Sequence, residues 1–215
     1  MDVVSPGPLP VSSLLWQPRA GLWTLTVVCK ATFQLRPIES PLAPAQDALN
    51  DDDNYWNDDP SRSVYSPGDL APLKQRADIV LVGSAFAPGN QPVRSLVARL
   101  VVGEVDKSIE VWCERVFTQG GQLHEGPRFQ KMAMRYERAA GGPETENPVG
   151  MRQDASPDVY GAVPIPNLTP PGLMISQRSD HVAPIGFGPD AARGPQESPT
   201  MNLRRWRPCP PGLHP

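Results

Sequence analysis

Proline and glycine set the limits on what this chain can fold into. Together they occupy 46 of its 215 residues, 28 of them proline, more than twice proline's ordinary share of ~5%. A proline inside a helix removes a backbone hydrogen bond and clashes with the preceding turn, and an interior glycine costs about 1 kcal/mol. An interior helix needs a proline-free window, and few long ones exist. The expected fold is mainly β: a single β-sandwich or barrel-like domain with long Pro/Gly-rich loops.

The most apolar point is Ile79-Val80-Leu81-Val82, inside the stretch Asp69–Gly89. Lys74, Arg76 and Asp78 precede it, and Gly83, Pro88 and Gly89 follow. A short β-branched run bounded by turn residues reads as a strand buried on both faces, with the flanking segments as its cover. Leu25–Leu35 alternates with period 2. Leu25, Val27, Cys29, Ala31, Phe33 and Leu35 fall on one face and Thr24, Thr26, Val28, Lys30, Thr32 and Gln34 on the other. That is a half-buried strand, and Cys29 on its apolar face is expected to be a small buried hydrophobe. Val93–Val102 and Lys107–Val116 alternate as well and frame a turn at Gly103-Glu104-Val105-Asp106, a hairpin. Phe129–Arg138 suits either another strand or the start of a short helix.

Three regions follow. Residues 1–21, with Pro6, Pro8, Pro10 and Pro18, form an extended lead-in. Residues 22–189 form the β-rich domain. Residues 190–215 carry no apolar period and read as a disordered tail.

Composition excludes several functions. The formal net charge of -3 favours neither nucleic acid nor an anionic membrane surface. Met1-Asp2 opens no signal peptide, no apolar run approaches the ~20 residues of a membrane helix, and Cys29, Cys113 and Cys209 make no disulfide framework. A cytoplasmic protein without membrane insertion is expected. The acidic run Asp51–Asp59 fails as an EF-hand, because Trp56 and Arg62 stand where Gly and Glu are needed; a solvated loop anchored by Tyr55 and Trp56 fits better. His124, His181 and His214 have no ligand-spaced neighbours, so no metal is expected. Gly186-Phe187-Gly188 does not complete a nucleotide fingerprint, and Arg204–Arg207 with Trp206 reads as a solvated tail. No catalytic or cofactor constellation is present, and no cofactor is expected.

Several phrases recur in one order: Thr26–Phe33, Trp56-Asn57-Asp58-Asp59-Pro60, Asp69–Lys74, Ala77–Gly83, Met134–Ala139, Gly141-Gly142, Asn147-Pro148-Val149-Gly150, Pro166-Asn167-Leu168 and Gly186–Pro189. Over residues 14–189 the chain resembles a bacterial domain-of-unknown-function family that accompanies type VI secretion clusters, shortened at its C-terminal end. Ser84, Cys113-Glu114-Arg115 and Ala140 depart from the family's pattern. The resemblance implies a non-enzymatic chaperone or adaptor that holds a toxic protein effector and helps load it onto the secretion spike proteins. It nominates Asp69, Lys74, Arg135, Glu137, Asn147 and Asn167 as partner-binding candidates. Two other readings stand beside it: a hydrolase using carboxylates such as Asp69 and Glu137, and a carbohydrate- or cell-wall-binding module with Tyr55 and Trp56 as platforms.

Overall fold

The computed structural model describes residues 3–74 and 77–184. The expected tail, Gly186-Phe187-Gly188, Arg204–Arg207, Cys209 and His214 lie outside the described residues. The described chain is mainly β, in small antiparallel sheets with no closed barrel, and its long loops are rich in proline and glycine. Its only helical pieces among the described residues are three-residue 3-10 turns. The chain divides into two compact units. One takes residues up to Val93 together with Phe129–Glu137; the other takes Arg94–Arg128 and the chain from Arg138 onward.

In the first unit, β1 (Val11–Arg19) and β2 (Leu22–Cys29) form a hairpin. The turn between them holds Gly21 at φ 79°, a left-handed conformation that glycine adopts without strain. Val11–Arg19 of the expected extended lead-in is thus a paired strand. Next, β3 (Asn54–Tyr55) pairs with β4 (Val64–Ser66), and β5 (Gly83–Phe86) pairs with β10 (Lys131–Met134). Phe129–Arg138 therefore contains both expected forms, the strand β10 and then a 3-10 turn over Tyr136–Arg138.

Two expectations about this unit are overturned. Ile79–Val82 is not a doubly buried strand. It makes no ladder, and its four side chains are 41–53% exposed. Burial on both faces needs strand partners on both edges as well as cover, and pairing starts only at Gly83, where β5 meets β10. The second concerns β2. Its apolar side chains point outward: Leu25, Val27 and Cys29 are exposed while Thr24, Thr26 and Val28 are half-buried. The polar face is the one tied down. Thr26 donates to the Pro72 carbonyl at 2.6 Å and accepts from the Trp16 indole at 3.0 Å. Lys30 pairs with Asp69 at 2.8 Å. Hydrogen bonds on the even-numbered side decide which way the strand faces.

In the second unit, β6 (Ser95–Val102) and β7 (Val105–Trp112) form the expected hairpin, closed by Gly103 at φ 57°. Against β7 lies β12 (Leu168–Thr169). A second sheet runs β11 (Val163–Ile165), β8 (Arg115–Phe117), β9 (Leu123–Glu125). The core cluster is Phe117, Ala140, Val163, Ile165, Ile175 and Val182.

The phrases Gly141-Gly142 and Asn147–Gly150 meet in one tight node of this unit. Asn147 is buried, its carbonyl accepts from Gly142 N–H at 2.9 Å and Gly150 N–H at 3.1 Å, and its side-chain amide donates to the Ala140 carbonyl at 3.1 Å. A Cβ at Gly150 would overlap that amide and stand 2.8 Å from Gly141 Cα. Gly150→Ala is expected to cost about 1–3 kcal/mol by overpacking, read as a lower urea midpoint with an unchanged slope.

Candidate functional site

Of the six nominated residues, Asp69, Lys74, Arg135 and Glu137 belong to the first unit, and Asn147 and Asn167 to the second. They do not form one constellation, and most of them have structural work.

Asn167 is fully buried in the loop between β11 and β12. Its amide donates to the carbonyls of Trp112 at 3.3 Å and Cys113 at 3.1 Å and to Glu114 Oε2 at 3.2 Å. Its side-chain oxygen accepts from Arg138 Nη1 at 3.1 Å. Its backbone N–H donates to the Arg138 carbonyl, and its carbonyl accepts from Trp112 N–H, each at 2.8 Å. One side chain thus closes the gap where the β7 ladder stops and β8 has not begun. Beside it Arg115, 2% exposed, donates to the Pro166 carbonyl at 3.0 Å and stacks 4.3 Å from the centre of the Trp112 ring. Burial pulls the Arg115 guanidinium below its ordinary pKa, and burial likewise raises the Cys113 thiol. A raised, buried thiol is a packing group rather than a nucleophile.

Glu137 and Asp69 are held in the same fashion. Ser63 donates to Glu137 from both its backbone N–H, at 2.8 Å, and its hydroxyl, at 2.7 Å. Burial alone would raise this carboxyl, but the two bonds from Ser63 and the charge of Arg135 outweigh it and hold the pKa below the ordinary value. Burial also works on Asp69 and is likewise outweighed, by the Asn50 N–H at 2.7 Å and the Lys30 ammonium. The guanidinium carbon of Arg135 stands over the Trp56 ring, 3.7 Å from its centre, and Trp56 meets Tyr65 edge-on with centroids 5.2 Å apart. Lys74 makes an exposed pair with Asp78 at 2.6 Å. The acidic loop 51–59 is solvated and anchored through Tyr55 and Trp56, as expected. No sequence signal links Ser63 to Glu137, or Trp56 to Arg135, because each pair is more than 70 residues apart and no local period connects them.

Two features of the first unit present groups that could meet a ligand. One is the outward apolar face of β2, continued by Phe33, 52% exposed, and Leu35, 93% exposed. The other is a polar cavity of about 310 Å³ lined by Lys30, Asp47, Asn50, Asn54, Tyr65 and Ser66. Among the described residues no group of three or more His, Cys, Asp or Glu side chains could hold a metal ion, and no helix is long and apolar enough to cross a membrane.

A mainly β scaffold with buried amides as clips and an outward apolar strand face is the class of protein these features define. The chain belongs to the family described as an uncharacterized protein conserved in bacteria, DUF2169, whose sequence pattern matches residues 20–197. No match to the chain was found among curated proteins or solved structures.

Two predictions follow from these bonds. Asn167→Ala strands the carbonyls of Trp112 and Cys113 in the interior, and urea unfolding is expected to show a loss of about 2–3 kcal/mol. Glu137 titrates lower in the folded state than in the unfolded one, so its stabilisation is complete above the unfolded value, near pH 4.5, and fades as pH falls through the lower folded value. The urea-unfolding stability of Glu137→Gln should therefore lie below wild type at pH 7, and the gap should narrow as pH falls below 4.5.

Proposed function

We propose that this protein is a non-enzymatic cytoplasmic chaperone or adaptor, holding a protein effector and delivering it to a type VI secretion spike. The observation that carries the reading is the reversed β2 strand. Its polar side chains are fixed inward by hydrogen bonds while Leu25, Val27, Phe33 and Leu35 face water. Contiguous exposed apolar surface of this kind marks protein-binding sites. The carboxylates of a hydrolase reading fit less well. A general acid at neutral pH needs a raised pKa, whereas Asp69 and Glu137 are lowered and bound to separate partners.

Carbohydrate binding is a second reading, favoured by the cavity that Tyr65 lines together with Asn54, Asn50 and Asp47. Tyr65, rather than Trp56 beneath Arg135, would be the platform. Sugar-induced shifts in the Tyr65 and Asn54 resonances would support it, and silence across a glycan array would remove it.

Affinity capture of the tagged chain from a lysate of its own bacterium, read by mass spectrometry, tests the adaptor role. Enrichment of a toxin or spike component is the expected outcome. Recovery of general chaperones alone would count against the role.

A further inference from the structure

We propose that the outer edge of β2 receives an extended segment of a partner protein as a third strand, with alternate residues apolar. This rests on the binding role above and identifies its surface.

The geometry comes from the β1–β2 ladder. Lys30 N–H donates to the Pro10 carbonyl at 3.1 Å, and the register pairs Val11 with Cys29. In an antiparallel ladder the hydrogen-bonded pairs alternate, so they fall at Ser12–Val28, Leu14–Thr26 and Trp16–Thr24. The backbone groups of Leu25, Val27 and Cys29 therefore point away from β1. Further along, Gln34 N–H donates to the Pro41 carbonyl at 2.9 Å and Ala43 N–H to the Thr32 carbonyl at 2.8 Å. That pairing again uses even-numbered residues, on the side β1 occupies. The odd-numbered edge has no backbone partner among the described residues.

The residues that offer this free edge also carry the exposed apolar side chains, and Leu15, opposite Leu25, adds to them. A two-stranded sheet is marginal without a third strand or a covered face. Leu15, Trp23, Leu25, Val27, Phe33 and Leu35 are each 39–93% exposed, and apolar side chains gathered on one strand face call for a partner that covers them. Outward N–H and C=O groups call for peptide, which lipid tails cannot supply. Pairing β2 with a second copy of itself would double the uncovered apolar face. A partner segment continuing into a body that covers the face satisfies both needs, and none of the six residues is charged, so the covering surface should be uncharged too.

The test uses a fluorescein-labelled peptide of alternating valine and threonine flanked by lysines, against an isomer with its valines grouped. The full chain should bind the alternating peptide about tenfold more tightly by anisotropy. Amide exchange should slow at Leu25, Val27 and Cys29 and stay unchanged at Thr24 and Thr26. Val27→Pro removes an outward donor and spares the β1 ladder, as proline does on edge strands; it should abolish the preference. Leu25→Lys, with circular dichroism like wild type, should weaken binding about tenfold. Equal binding of the two peptides, or Val27→Pro binding as well as wild type, overturns the proposal. So does a dimer by light scattering with the three amides protected before peptide is added, which would make the occupant a second copy. Loss of the peptide preference with effector capture intact would remove the edge alone, and the converse result would remove the adaptor role alone.

Discussion

Backbone hydrogen bonding is the constraint on which this structure depends. Strands of two to four residues leave carbonyls and N–H groups beyond each ladder, and an unpaired buried one costs about 1–3 kcal/mol. Side chains make up the difference. Asn167 takes the carbonyls of Trp112 and Cys113, Arg115 that of Pro166, Asn147 that of Ala140, and Glu137 the N–H of Ser63. Each sits where the chain leaves regular structure. Outside the two long hairpins, β1–β2 and β6–β7, the buried polar residues are therefore fasteners between short strands.

The same demand turns β2 over. Apolar burial would have turned Leu25 and Val27 inward, worth about 1.5–3 kcal/mol for each side chain fully buried. The other face holds Thr26 to Pro72 and Trp16, Lys30 to Asp69 and Ala48, and Thr32 to Gln46 and Asp47. These bonds tie down both ends of the segment that carries β3 and β4, at Gln46–Ala48 and at Asp69–Pro72. The strand serves its own unit with its polar side and leaves the apolar side to whatever binds.

Much of the fold was legible in the residues. The β character follows from proline and glycine, and the β6–β7 hairpin from its alternation and Gly103. Period 2 located β2 but could not say which face is inside, because alternation is symmetric until a partner is known. The run Ile79–Val82 misled for a related reason: β-branched apolar residues favour a strand, but a strand needs an edge to pair with, and the chain offers one only from Gly83. Of the candidate residues, Asn147 and Asn167 were nominated by the resemblance alone, through the phrases Asn147–Gly150 and Pro166-Asn167-Leu168. The clips they make depend on contacts up to 55 residues away, beyond the reach of any local pattern.

The first unit draws on two separated stretches of chain, and that has a consequence for synthesis. Phe86 in β5 pairs with Lys131 in β10, so residues 87–130 must leave the ribosome before the sheet can close. At about 5–20 residues per second that is a wait of several seconds. Throughout it the hairpin β1–β2 and the run Ile79–Val82 are already outside with their apolar side chains uncovered. A nascent chain of this order is exposed to misassociation early, and the rate of elongation between Phe86 and Lys131 sets for how long.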